Sequence, residues 1–179
     1  LSLGLLFGAY TAMLSNLTPY ATQLGYDELQ ASRLIMVVAI GGMLGKLLFG
    51  MAADRFSLKV SLWVAQLFVL MSFILLASDL PYALMLTSGL LLGLASGGMM
   101  PVWGALMANL FGLASYGRAM GLIGPLVTLC VLPAFPLAGR LYDLSGDFKL
   151  TLFVFSGLVV AAGVLLIPLR VNQPQSASS

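Results

Sequence analysis

Histidine is absent from this sequence and cysteine occurs once, at Cys130. The first absence removes the usual general base, the usual zinc ligand and the one side chain that titrates near neutral pH. Hydrolytic triads built on histidine go with it. A single cysteine allows no intrachain disulfide and no cysteine metal cluster. Sitting in an apolar run, Cys130 reads as a small buried filler. Charge is scarce as well: lysine and arginine number eight, aspartate and glutamate six, together 8% of 179 residues. An ordinary soluble domain is roughly a quarter charged. So few ionisable groups cannot coat a soluble core of this size. A scattered net charge of +2 gives no footprint for a nucleic-acid partner. Neither a metal nor a cofactor is expected.

What is present is apolar, with hydrophobic residues making up 60% of the chain. Crossing roughly 30 Å of hydrocarbon takes about 20 such residues at 1.5 Å each. Six runs qualify, near 2–24, 32–53, 59–78, 81–110, 117–139 and 149–169. The expected fold is all-α, a polytopic bundle of six transmembrane helices in the lipid bilayer. The fourth run is long enough to tilt or kink, with Pro101 as the candidate position. Short polar connections carry the charges, and Trp63, Tyr82, Tyr116 and Tyr142 near the span ends read as interfacial anchors. Residues 1–170 are thus one transmembrane domain, and the polar stretch 171–179 is expected to be a disordered tail. No basic segment precedes the first run, which is unlike a signal peptide. An even number of spans puts both ends on one side. Arg55, Lys59, Arg118 and Arg170 share that side against Arg33, Arg140 and Lys149 opposite, favouring cytoplasmic termini. The cell membrane is the expected location.

Lys46 is the one charge well inside a span, roughly two helical turns from the Asp54 end. A lysine there costs about 3 kcal/mol on insertion scales. Its neighbours four residues either way are Gly42 and Gly50, small residues that mark a face packed on other helices. Two readings follow: a cation facing inward toward an anionic substrate or a carboxylate, or a lysine snorkelling to the nearby interface. Polar groups elsewhere in the spans are Tyr10, Thr11, Ser15 and Asn16 on the first, Trp103 and Asn109 on the fourth and Thr128 on the fifth. Asn16 should face a helix or a cavity, whereas serine and threonine can return their hydroxyls to their own helix. Gly89, Gly93 and Gly97 form a ladder that lets another helix approach closely, or leaves space for solute or hinge motion.

The second and fifth spans end alike. Gly50-Met-Ala-Ala-Asp54 matches Gly139-Arg-Leu-Tyr-Asp143, each after a glycine-bearing helix, the later one carrying Gly124-Pro125. A three-plus-three duplication of this kind places its copies in opposite membrane orientations, as in many secondary transporters. The segment from Gly45 through Gly50, Asp54 and Arg55 to Lys59 resembles the signature loop of the major facilitator superfamily, departing from it at Ser57, where glycine is usual. Thr18-Pro19-Tyr20, Leu24-Gly25 and Gly139 to Gly146 agree with a C-terminal half.

The resemblance implies helices seven to twelve of a twelve-helix transporter, whose missing N-terminal six-helix half completes the cavity. It implies that Asp54 latches onto a helix N-terminus of that half. It also implies that Lys46, four places before Gly50, contacts a small-molecule substrate, as in the relatives that move monocarboxylates and oxalate. The expected function is therefore secondary active transport of a small organic anion by alternating access. Tyr10, Thr11 and Asn16 are expected beside Lys46 at the substrate. Gly50, Asp54, Arg55 and Lys59 are expected to gate. Gly89, Gly93, Gly97, Gly124 and Pro125 are expected to pack helices. Rival readings are an exporter of neutral or cationic amphiphiles and a non-transporting membrane receptor or scaffold. An enzyme is not expected, since the spans hold neither carboxylate nor histidine.

Overall fold

In lipid every backbone polar group must be satisfied inside its own segment, and the apolar runs accordingly form helices. The computed structural model describes residues 2–55, 57–78 and 81–167, with backbone alone at 53–55. Arg170 and the tail 171–179 lie outside the described residues. Among those residues the helices are α1 (Ser2–Gln23), α2 (Glu28–Arg55), α3 (Leu58–Ala77), α4 (Tyr82–Phe111), α5 (Tyr116–Val131), α6 (Ala134–Ser145) and α7 (Phe148–Leu166), with a 3-10 turn at Leu113–Ser115. Five segments, Glu28–Ala52, Leu58–Ala77, Tyr82–Phe111, Leu113–Ser145 and Phe148–Leu166, are long and apolar enough to cross a membrane. The sixth expected span, α1, has the length but is diluted by Tyr10, Thr11, Ser15, Asn16 and Thr18.

Local chemistry sets the ends. A reciprocal pair opens α2: the Gln30 N–H donates to Asp27 Oδ1 at 2.6 Å and the Asp27 N–H to Gln30 Oε1 at 3.1 Å, a capping box. Ser57 Oγ accepts from the Val60 N–H to start α3. Gly146 ends α6 with φ at 68°, its N–H reaching Tyr142 O at 2.7 Å, a left-handed position that favours glycine.

The fifth span is where the expectation needs correcting, because it is two helices and not one. Pro133 and Pro136 lack the N–H groups that would bond back one turn, and the ring of each crowds the preceding turn. The chain therefore turns at Leu132–Pro133 and restarts as α6, which runs on to Ser145. Pro101, by contrast, is carried inside α4, which stays helical from Tyr82 to Phe111.

Packing repeats along the chain. Helix α2 packs on α4 as α5 and α6 pack on α1, α3 packs on α4 as α7 packs on α1, and α3 meets α7. Each set of three spans is therefore a copy of the other, and an odd span number inverts the second copy. The tightest contact is α2 against α4. A methyl group at Gly93 would overlap the Val38 carbonyl, one at Gly97 the Gly42 carbonyl, and one at Gly45 the Leu94 carbonyl; one at Gly41 would lie 2.7 Å from Leu90 O. Backbones approach this closely only where side chains are missing. The related contact of α1 with α5 is made by Gly4, whose missing methyl would lie 2.6 Å from Cys130 Cβ.

Aromatic side chains fasten the end of the bundle away from Ser2. The Tyr20 hydroxyl donates to Leu76 O, and its ring meets Phe148 edge-on at 5.7 Å. Phe148 also contacts Tyr142 at 4.5 Å. Tyr82 donates to Gln30 O at 2.8 Å and packs on Tyr26.

Candidate solute-contacting face

Three helices, α1, α2 and α4, bring the expected site residues toward one another, and the glycine crossing sets how closely. Gly97 of α4 lies against the backbone of Lys46, its Cβ position 2.8 Å from that residue's nitrogen. One turn earlier on α2, the Cβ position of Gly42 is 3.7 Å from Ser96 Oγ. Ser96 donates to its own helix at Gly93 O, 2.8 Å away, and its side chain pairs with the Tyr10 hydroxyl across from α1. Tyr10 itself is buried at 9% exposure. Lys46, Ser96 and Tyr10 therefore share the level of the α2–α4 crossing.

Lys46 is exposed in this chain. The expectation that it points in among the six helices does not hold within the bundle. The glycine face that suggested it is divided: Gly42 packs on α4 while Gly50 meets open space. Its surroundings on α2 are Met43 and Leu47, 70% and 66% exposed. A cation on such a face needs a cavity or another protein surface opposite, because hydrocarbon would not accept it.

Thr11 and Asn16 do not join this cluster. Thr11 Oγ1 donates to Phe7 O at 2.6 Å and Asn16 Nδ2 to Ala12 O at 2.8 Å. Both lie about 100–120° around α1 from Tyr10 at 3.6 residues per turn. Ser15 likewise donates to Thr11 O. Ser96 was missed in the sequence, although a hydroxyl placed between the ladder glycines Gly93 and Gly97 was the available signal.

The signature segment spans the end of α2 and the start of α3. Asp54 and Arg55 close α2, where the backbone alone is described. Lys59 Nζ donates to Ile167 O at the end of α7 at 2.6 Å and lies 5.6 Å from the Trp63 ring centroid. It thereby places positive charge at a helix C-terminus, the favourable end. Of the packing glycines, Gly89, Gly93 and Gly97 all lie against α2, Gly89 against the Leu34 side chain. Gly124 meets nothing within 4 Å and Pro125 is exposed, so within this bundle they pack against no other helix. Gly4 and Gly8, which sequence reading passed over, make the close approach to α5 instead.

Below this level, toward Ser2, a cavity of about 760 Å³ opens between α1, α4, α5 and α7. Its walls are apolar, and Ser2, the one hydroxyl there, donates to Ala162 O. About one turn further along α1 and α4 from Gly4 and Met107, the rings of Phe7 and Trp103 meet at 5.7 Å. A smaller cavity of about 310 Å³ lies between α3 and α7 beside Gln66.

The chain is 28% identical to human monocarboxylate transporter 2 over 167 residues, which is 91% of the chain and 35% of the relative. It is 25% identical to human monocarboxylate transporter 12 over 172 residues, 93% of the chain and 33% of the relative. With bovine monocarboxylate transporter 13 it shares 26% over 158 residues, 86% and 37% of the two lengths. The chain thus spans about a third of the length of the relatives it matches. The family model described as Major Facilitator Superfamily matches residues 1–179. With the family model matching its whole length and five segments among the described residues apolar enough to cross a membrane, this integral membrane protein belongs to the major facilitator superfamily of transporters.

Proposed function

We propose that the protein is a secondary active transporter of small organic anions, monocarboxylates in the first instance, working by alternating access between this six-helix half and an N-terminal half. The observation that carries the reading is Lys46. No other charged residue among those described lies so far from both ends of its helix, and it is exposed at the level of the α2–α4 crossing that Ser96 and Tyr10 share. A lysine at that depth is stable only opposite polar or anionic matter. A monocarboxylate supplies a single countercharge, and the Tyr10 and Ser96 hydroxyls can donate to it.

Binding must differ between inward- and outward-facing states for the solute to drive the exchange. The second wall of the site and any proton-coupling carboxylate belong to the N-terminal half. Asp54 would meet a helix N-terminus there, which favours negative charge. The excess of basic residues on the side of the termini favours a cytoplasmic location for them, and the reading puts the protein in the cell membrane.

The test is uptake of labelled monocarboxylates by the full-length protein in proteoliposomes. Lys46→Gln should abolish uptake while Lys46→Arg keeps part of it. Uptake unchanged by Lys46→Gln would remove Lys46 from the site. Flux of neutral or cationic amphiphiles alone would favour the exporter reading, in which Lys46 is interfacial.

A further inference from the structure

The groove between α3 and α7 is nearly as long as one leaflet of a bilayer is deep. Its walls run from Trp63 to Leu70 on α3 and from Val159 to Ile167 on α7, about 12 Å by helical rise against about 15 Å for the hydrocarbon of one leaflet. Leu67, Val160, Val164 and Ile167 stand exposed along it, apolar side chains suited to hydrocarbon. Where α3 begins and α7 stops, Lys59 Nζ reaches Ile167 O and lies beside the Trp63 ring. Lysine and tryptophan both belong at the polar edge of the membrane.

Gln66 is out of place in such a wall. It is 6% exposed and lines the groove, and its amide nitrogen is enclosed without a hydrogen-bond partner among the described residues. An unpaired amide in apolar surroundings is costly, the more so where water cannot reach it. The room for it is left by Gly163, whose Cβ position lies 3.0 Å from Gln66 Oε1. Gly163 precedes Ile167 by about one turn of α7, so the amide lies about one turn deeper in the bilayer than the Lys59 ammonium.

We propose that this groove is a binding site for an anionic glycerophospholipid, with its phosphate near Lys59, one acyl chain along α3 and α7, and an ester carbonyl accepting a hydrogen bond from the Gln66 amide. The ester carbonyls of such a lipid lie about one helical turn below the phosphate, which matches the spacing of Gln66 and Lys59 along the groove. The ammonium attracts the headgroup by its charge. The amide turns to meet the carbonyl about its terminal torsion, which is broad and roughly two-fold. A partner's transmembrane helix fits less well, because it would cross the whole bilayer whereas the groove occupies one leaflet. The site is separate from the solute face and does not rest on the transport reading.

Photocrosslinking tests it in the full-length protein, reconstituted in phosphatidylcholine vesicles with a trace of phosphatidylglycerol that carries a diazirine midway along one acyl chain. Label should concentrate on the peptides of α3 and α7. Unlabelled ester-linked phosphatidylglycerol should displace it at about fivefold lower mole fraction than the diether analogue, which lacks the carbonyls, the order that one hydrogen bond gives. Gln66→Leu keeps the bulk and removes the donor, and should make the two lipids compete equally. Lys59→Gln should weaken displacement by phosphatidylglycerol by about fivefold. Label spread evenly over the exposed helices would overturn the proposal, and so would ester and diether lipids competing equally in the unaltered protein; neither result depends on a variant folding. An ester preference that survives Gln66→Leu would overturn it as well. A groove labelled in vesicles but shielded in native membranes by a crosslinked protein would give the site to a partner helix instead.

Discussion

Replacing Gly97 by alanine tests the most closely packed contact in the molecule. The added methyl would overlap the Gly42 carbonyl and lie 2.8 Å from the Lys46 nitrogen, where ordinary contact begins at 3.4 Å. Both opposing atoms are backbone, so no rotamer change relieves the clash and α4 must move away from α2. The nitrogen contact alone asks for about 0.6 Å, and a gap of 0.5–1 Å forfeits a quarter to a half of each dispersion contact it opens. Spread along the crossing formed by Gly41, Gly45, Gly93 and Gly97, the expected penalty is about 1–3 kcal/mol, typical of overpacking. Alanine is also the better helix former by about 1 kcal/mol, which offsets part of the loss. A second variant removes that ambiguity. Gly157 lies in α7 with nothing within 4 Å of its Cβ position, so Gly157→Ala gains the propensity and meets no clash. The difference between the two variants is then the packing cost alone. Reversible unfolding in mixed micelles, followed by circular dichroism, reads it directly. If both variants shift the midpoint equally, the close crossing of α2 and α4 is not as described.

Two further predictions concern contacts at the Ser2 end. Lys59→Gln removes a cation from the end of α7 and should cost about 0.3–1 kcal/mol there; amide exchange in the last turn of α7 should accelerate about two- to fivefold, and unchanged exchange would dismiss the Lys59–Ile167 contact. Gly4→Ala should destabilise by about 1–2 kcal/mol because its methyl meets Cys130 Cβ at 2.6 Å. Combining it with Cys130→Gly, which removes that Cβ, should recover most of the clash in a double-mutant cycle, and simple additivity of the two would refute the contact.

Hydropathy located the helices because the bilayer requires long apolar runs whatever the tertiary packing, although α1 falls short of the apolarity of the other five segments. It failed at Leu132–Pro133 because a window average hardly registers two prolines, whose effect on the backbone is steric and depends on missing N–H groups. It also began α2 late. The turn from Glu28 to Arg33 is polar and adds nothing to an apolar average, although Asp27 and Gln30 carried a readable capping box. The glycine ladder on α4 was legible from spacing, and so was the glycine run on α2 that receives it. Lys46 was harder. A small residue one turn away fixes which side of a helix can be packed, but only the neighbouring helix decides where that face ends, and α4 covers Gly42 while leaving Lys46 exposed. Thr11 and Asn16 looked like site residues by composition, yet both donate within their own helix. Nothing in sequence alone distinguishes a polar side chain that turns back from one that reaches across.

The two repeats share a pattern of contacts but not their tightness, and the difference bears on motion. In the first, α2 is pressed against α4 backbone to backbone, so one cannot shift without the other. In the second, the related pair is α1 with α5, a looser approach in which Gly4 meets the side chain of Cys130 and the Cβ position of Gly8 stays 3.2 Å from the Cys130 carbonyl. That contact can slide or open at the cost of a few dispersion contacts, whereas separating α2 from α4 undoes an entire interface. The turn at Leu132–Pro133 adds a second freedom by uncoupling α5 from α6, and α6 is the part that contacts α7. Aromatic contacts among Tyr20, Tyr142 and Phe148 hold the far end together. Rearrangement within this half is therefore cheapest where α5 borders the large cavity, below Phe7 and Trp103.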